Sequence, residues 1–557
     1  MIAGLIYCAV WPSGHSGLFA YDGVGTSRYF VFEYLPQILA SIIILWILII
    51  QNALHRIFPF VALASRRSTY NSGVLFTASL FPTNYLIPNL SYFRHGDVVF
   101  GACSVTLWLA LFTVPLQGGL FQTRYYMGDS VWNWTAVQPV AWTLFVLYAL
   151  LVLGLLALLF RFARHETGLK WDPVSLADIM VIFHRSNLLT DFERSEIERP
   201  VSRPKKDIRL GYWRTSWQEA DTFYCIGDEN LPIHRYSLER GRMKPIDDAP
   251  PRDLESQQPI KSSRFDSLRT DIRNPTLRYR WTPWFLRDSF VVAWFVIAIV
   301  LMIAFIVASF VNQGVEKGFL PLLPAPTTTQ GFSPADFLYS FLPSFIGMVL
   351  FLLWQPLDMY FRALQPFASL GDPHGRGSSA EQSLLLDYTA CLPFEVSIRA
   401  ALAGHYKVAW ISFIGLLSIM LPILAGGVFT AQFRPDTQDI RMIASMPGYE
   451  ALIVFVIVYA FSLLIIWPTT KRYLPHDINT LGQLVSFFYQ SPLLAEAAFR
   501  EPRSKIDLVT KLLGTPTGEK TIPRYGFGVY GGQDGKEHLG IDRIERPGYG
   551  EMLIDVR

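Results

Sequence analysis

Asp387, Glu395 and Arg399 are the residues of this chain best suited to chemistry. Two carboxyls on one short stretch could serve as acid and base beside a cation, and at the inner face of a membrane their substrate would be a lipid. The plainer reading is that this stretch packs against helix ends. Other candidates carry less. Cys8, Cys103, Cys225 and Cys391 are scattered, in no metal-ligand spacing. No His, Cys or carboxylate cluster suggests a nucleophile or a catalytic metal, so neither a metal nor a cofactor is expected. Gly526-x-Gly528-x-x-Gly531 matches the dinucleotide fingerprint in letters, but lacks an apolar strand before it and a helix after it, and reads as β-hairpin glycine. Asn133-Trp134-Thr135 is a glycosylation acceptor. Arg66-Arg67-Ser68 reads as a solvated basic face or a phosphorylation site.

The elements that must position these residues are membrane helices. The chain is 51% hydrophobic and only 17% charged, more apolar than a soluble core requires. Seven segments reach spanning length: 31–54, 98–116, 140–160, 290–311, 337–354, 408–430 and 451–467. In hydrocarbon each backbone amide must be paired within its own segment, so these runs should be helices. Their interiors lack charge, because Glu33, His55, Asp97, Lys407 and Glu450 all fall near ends. Ion-coupled transport, which needs such groups at depth, therefore ranks low. Pro36, Pro115, Pro343 and Pro422 supply positions where a helix could break and offer carbonyls to an ion; the simpler reading is a tolerated kink.

The chain is also written twice. Phe30, Tyr34, Pro36, Pro59 and Phe60 return, shifted by about 307 positions, as Phe337, Phe341, Pro343, Pro366 and Phe367. Gly118-Gly119 returns as Gly426-Gly427, and the stretch from Ser175 returns at Thr480. Echoes in this order indicate one structural unit in tandem. The stretches before Val31, between 120 and 137, 312 and 336, and 431 and 450 hold only Arg28, Arg124, Lys317, Arg434 and Arg441 of the 48 Lys and Arg. The positive-inside rule then places the N-terminus outside and the C-terminus in the cytosol of a plasma membrane or endomembrane protein, with short inner stretches around Arg66, Arg67 and Arg94 agreeing. Both Leu-Pro helices then run inward, which makes the repeats parallel, related by an axis near the membrane normal. The apolar stub Met1 to Trp11 reads as the shortened counterpart of the helix from Phe290, with a signal peptide as the rival.

The expected fold is thus an all-α membrane protein of about seven transmembrane helices in two parallel repeats, with small cytosolic β elements after each. The divisions are 1–192 (first membrane repeat), 193–285 (cytosolic linker with a small β element), 286–500 (second membrane repeat) and 501–557 (C-terminal tail with a β-hairpin). Strands are expected in RLGYWRTS from Arg209 and DTFYCIGDE from Asp221, and again in YGFGVYGG from Tyr525 and KEHLGIDRI from Lys536, the last pair joined through Asp534-Gly535. The stretch from Arg240 to Arg280 reads as a mobile linker. Ser175 with Asp178, and Thr480 with Gln483, have the spacing of capping boxes. The apolar, proline-interrupted stretches from Ser72 and Ser383 read as interfacial or re-entrant.

The runs LPSFIGMVLFLLWQPLDMYFRALQPFASL from Leu342, SLLLDYTACLPFEVSIRAALAGHYKVAWISFIGLLSIMLPILAGGVF from Ser383 and FGVYGGQDGKEHLGIDR from Phe527 resemble a fungal multi-pass membrane family. It is catalogued as a duplicated domain of unknown function, of the 3433 type, and includes the calcium-related spray protein. The resemblance implies a link to calcium homeostasis and hyphal growth, and transfers no catalytic or ligand residue. The chain departs from the family pattern at its start, where a full first helix is expected. Three functions follow from these readings. The first is a non-enzymatic scaffold or regulator contacting anionic lipid headgroups or cytosolic proteins, with no role for nucleic acid. The second is a channel or lipid-translocating protein working at the repeat interface, for which Ser104, Gly347, Ser412 and Ser418 would line a polar groove. The third is the lipid enzyme of Asp387 and Glu395.

Overall fold

A computed structural model describes residues 1–11, 17–23, 26–65, 71–126, 131–193, 195–196, 207–215, 222–229, 233–239, 242–245, 281–310, 314–323, 333–371, 377–434, 439–467, 474–514 and 522–544. Arg66 to Ser68 and positions 246–280 of the expected linker lie outside them. Among the described residues seven helices are long and apolar enough to cross a membrane. They coincide with the seven expected segments, and they fit a membrane protein.

In the first unit, α1 (Ile2–Val10) precedes α2 (Leu35–Ala64), a broken helix made of α3 (Val98–Ala110) and α4 (Thr113–Gly118), and α5 (Gln138–Arg164). In the second unit, α6 (Asp288–Phe310) precedes α7 (Pro334–Leu370), the broken helix of α8 (Tyr406–Leu417) and α9 (Met420–Gly426), and α10 (Met446–Ser462). Helix α1 lies along α5 as α6 lies along α10, so the two occupy equivalent places in their units.

The prolines act in two ways. Proline has no N–H for the carbonyl four residues back and its ring crowds that carbonyl. The breaks at Leu111–Phe112 and Ser418–Ile419 fall where this predicts, at and just after the residues four ahead of Pro115 and Pro422. Here the kink reading is corrected: the helix stops and restarts. The carbonyls near the breaks are taken by side chains, since Ser418 Oγ donates to Gly415 O (2.9 Å), Thr113 Oγ1 to Ala110 O (2.8 Å) and Ser344 Oγ to Pro422 O (2.9 Å). By contrast α7 runs unbroken through Pro343, Pro356 and Pro366, and α2 through Pro59. A π-turn at Phe30–Tyr34 leads into Pro36.

After each Gly-Gly corner the chain turns into a β-hairpin, β1 (Phe121–Tyr126) with β2 (Val131–Ala136), and β3 (Phe429–Arg434) with β4 (Asp439–Ala444). The sequence reading expected no strands here and carried the sixth span, 408–430, on to Thr430, where the strand has already begun. The hairpins hold large aromatics, with Phe32 stacked on Trp134 (5.1 Å between centroids), whose burial outweighs what an irregular loop would offer.

The two units meet about a twofold axis, visible in contacts between equivalent residues. Thr123 Oγ1 donates to Ala431 O (3.2 Å), and a Cβ on Gly118 would sit 3.5 Å from the Gly426 Cα. Farther along, Asn52 Nδ2 donates to Met359 Sδ (3.4 Å), and the Phe183 and Phe488 rings lie 6.4 Å apart. A residue touches its own counterpart only on a twofold axis. These pairs run in order from the hairpin end past the long helices, so the axis follows α2 and α7, and both helices point the same way. The repeats are therefore parallel, and no inversion relates them.

Packing across the axis is reciprocal. A Cβ on Gly119 would lie 2.7 Å from the Phe337 ring, and one on Gly427 2.6 Å from the Tyr34 ring, so each glycine corner seats the other unit's long helix. At the far end the capping boxes form as their spacing requires, with Ser175 N to Asp178 Oδ2 and Thr480 N to Gln483 Oε1 both at 3.0 Å. Each box opens a short helix that docks on the other unit: Leu80 N donates to Asn479 O (2.7 Å), and Ala177 N to Leu384 O (3.0 Å).

Beyond the long helices lies a polar layer. Its sheet has four strands rather than the expected two: Ile208–Thr215, Thr222–Asp228, Ile233–Glu239 and Arg242–Pro245. The last lies inside the stretch read as linker. The C-terminal hairpin, Tyr525–Gly531 with Glu537–Arg543, forms as expected.

Candidate functional site

The expected triad does come together, on the surface. Arg399 reaches Glu395 Oε1 (2.8 Å) and Asp387 Oδ1 (3.3 Å), with about half of the Arg399 side chain exposed. Glu395 also accepts from Leu392 N (3.4 Å), capping the helix Pro393–Leu402. None of the three lines the cavities described below. Their mutual charge neutralisation explains the cluster, and an exposed pair of this kind contributes little stability. On the same helix Phe394, Ile398 and Leu402 are exposed one turn apart, while Val396 and Ala400 are buried. That is the pattern of a helix lying at an interface.

The polar groups that are buried together sit on the repeat axis. Two neighbouring cavities of about 70 and about 60 Å3 open between α2 and α7, and both are lined by Asn52, Arg56, Met359, Arg362 and Thr389. The positions 45, 48, 49, 52, 53 and 56 of α2 share one face at helical spacing, so the second cavity grades from leucine and isoleucine to arginine. Arg362 is 3% exposed and holds Asp358 in a forked pair, Nε to Oδ1 at 2.9 Å and Nη2 to Oδ2 at 2.5 Å. Ser412 Oγ donates to the same Oδ1 (2.5 Å), and Gln355 Nε2 to Gly415 O (3.1 Å). Arg56 is forked on Asp172, Nε to Oδ1 at 2.9 Å and Nη2 to Oδ2 at 2.5 Å. Asn52 accepts from Tyr85 OH (2.8 Å).

Of the residues expected to line a groove, Ser412 serves Asp358, Ser418 serves a carbonyl, and Gly347 gives room for α9, since a Cβ there would lie 2.7 Å from Pro422 N. Asp358, Arg362, Asn52 and Arg56 were not singled out in the sequence reading. Their signal was an opposite-charge pair at i, i+4 within an apolar run, just past the expected end of the span at Trp354. Helix α7, at 37 residues, is about 55 Å long, well beyond the about 30 Å of a bilayer's hydrocarbon, and the charged turn falls in its C-terminal half.

A second buried cluster ties the tail to both units. Glu196 Oε1 accepts from Tyr489 OH (2.7 Å) and meets His538 Nδ1 (2.6 Å), while His538 Nε2 meets Asp534 Oδ1 (2.9 Å). Tyr530 packs against the imidazole. Burial alone would lower the His538 pKa, but the hydrogen bonds to Glu196 and Asp534 outweigh it and the net shift is upward. A raised folded-state value means that the stabilisation is complete below the ordinary histidine value, about 6.5, and fades as pH rises through the folded value. Hydrogen exchange of residues 525–543 is therefore expected to quicken as pH is raised from 6 to 8, after correction for intrinsic exchange. In Glu196→Gln most of that dependence should vanish; a slope unchanged by the substitution would remove the histidine from the account.

Comparison with known proteins yields one match. The family model described as "Protein of unknown function (DUF3433)" matches over residues 30–122 and again over residues 337–430. No curated protein and no solved structure matches the chain. The two matched regions each run from the start of a long helix through the broken helix to the first residues of the hairpin strand, so the axis described above relates one family domain to the other. The chain thus carries two regions that each match the domain of this family of unknown function, consistent with its duplication.

Proposed function

We propose that the protein is a non-enzymatic integral membrane scaffold or regulator, with its N-terminus outside, its C-terminus cytosolic, and a location in the plasma membrane or an endomembrane. The reciprocal packing of the units carries this reading. Glycine corners at one end and swapped cap helices at the other close the repeat interface, and they build one polar platform from both halves. Such a platform suits contact with cytosolic proteins, and the exposed Phe394, Ile398 and Leu402 suit a seat at the inner leaflet beside anionic headgroups. The family resemblance adds a role in fungal calcium homeostasis and hyphal growth. A second reading, a channel or lipid-translocating protein, is favoured by the arginine-lined cavities on the axis. Calcium flux into liposomes carrying the purified full-length protein separates the two. Flux no greater than in protein-free liposomes is expected; saturable flux that depends on Arg56 would overturn the scaffold reading. Acceptor tags for glycosylation at the two termini test the orientation, with modification expected at the N-terminus alone.

A further inference from the structure

We infer that the axial cavities form a binding site for one phosphate-bearing ligand, held between Arg56 and Arg362. Each guanidinium spends Nε and Nη2 on a carboxylate, Asp172 or Asp358, and among the described residues Nη1 of each has no protein partner. The two arginines come from opposite units yet line the same two cavities. Forked and anchored in this way, they are preorganised, and a tetrahedral oxyanion can accept from both without drawing either out of its ion pair. Asp358, the carboxylate nearest the site, has its oxygens occupied by Arg362 and Ser412, which limits its repulsion of an anion.

The space suits the ligand. About 60 to 70 Å3 in each cavity exceeds the roughly 10–15 Å3 that one water needs, so the site has room for a phosphate group or for several waters. The apolar side of the second cavity, Leu45, Leu48, Ile49 and Leu416, continues from the arginines along the face of α2, and Pro393 at the head of the interfacial helix closes its rim. Charge at one end and hydrocarbon along the other is the outline of a lipid phosphate with the start of its chain. A free phosphate satisfies the charged end alone. The inference holds whether the protein is a scaffold or a channel, because it concerns occupancy and not conduction.

Two arms test it on the full-length protein. In the first, inorganic phosphate is titrated into delipidated protein in detergent by calorimetry. In the second, native mass spectrometry counts lipid retained from nanodiscs of phosphatidylcholine with or without phosphatidate. Binding of phosphate alone supports a free anion, and retention of one phosphatidate supports a lipid headgroup; in either arm Arg56→Gln should weaken binding about tenfold or more. Asp172→Asn separates charge from architecture. It removes the negative charge that offsets Arg56 but keeps an Oδ1 to accept from its Nε, so the guanidinium stays anchored and binding should hold or tighten. Weakening in Asp172→Asn equal to that in Arg56→Gln would overturn the inference, as would no binding in either arm, or equal binding by the wild type and Arg56→Gln. Arg56→Lys keeps a charge in place should Arg56→Gln fail to fold.

Discussion

Asp358→Ala destabilises the protein by about 3–5 kcal/mol, the usual result of leaving one member of a buried ion pair uncompensated. Arg362 is the residue left behind, 3% exposed and, among the described residues, left with Ser412 Oγ (3.2 Å from Nε) as its side-chain hydrogen-bond partner. Replacing both partners should cost far less. A paired Asp358→Leu, Arg362→Met variant removes the desolvation of both ions and keeps comparable volume, so its stability should return to within about 1–2 kcal/mol of the wild type. Thermal unfolding in one detergent, followed by intrinsic fluorescence, compares the three proteins. A double variant as unstable as the single one would mean that shape, and not charge, governs this turn of α7. The pair has no counterpart in the first unit, where Gln51 and His55 occupy the equivalent positions and His55 Nδ1 instead meets Ser79 Oγ (3.0 Å). The twofold axis of the backbone is thus not a twofold axis of charge.

Gly540→Ala should release the C-terminal hairpin. A Cβ at that position would lie 1.9 Å from the Phe487 carbonyl oxygen and 2.6 Å from its carbon, both backbone atoms. The strand cannot slide aside at low cost, because the next residue, Ile541, donates its N–H to the same Phe487 oxygen at 2.8 Å. Overpacking of this kind costs about 1–3 kcal/mol and more where the neighbour is rigid, enough to shift a docked hairpin toward an open one. The measure is hydrogen exchange of residues 525–543, expected to rise by about tenfold or more for a loss above 1.4 kcal/mol. Gly531→Ala is the control: a Cβ there has nothing within 4 Å, and the change should stay within about 0.5 kcal/mol. Equal exchange in the two variants would show that the close approach at Gly540 relaxes without cost.

The helices, the repeat and the caps were legible because each is written locally. A run of apolar residues with unpaired amides has only one way to sit in hydrocarbon, so the spans could be read from length and composition. The capping boxes at Ser175 and Thr480 need only a hydroxyl and a partner three residues on, and both formed. The hairpins from Phe121 and Phe429 were missed because their strands are stabilised by aromatic packing on the long helices, such as Phe32 on Phe121 at 5.1 Å, which alternation along the strand does not reveal. The candidate triad of Asp387, Glu395 and Arg399 could be read as neighbours, but spacing could not tell a solvated cluster from a pocket.

By itself, then, the amino-acid order determined which segments are helical, that one unit occurs twice, and that the copies face the same way. Only tertiary structure decided where the buried charge lies. Arg56 and Arg362 are more than 300 positions apart and share no motif; they line common cavities because a twofold axis passes between α2 and α7, and the position of that axis is set by glycine corners and swapped caps packing across it. Burial and proximity across an interface are properties of the packed pair of units, and no stretch of either unit encodes them alone.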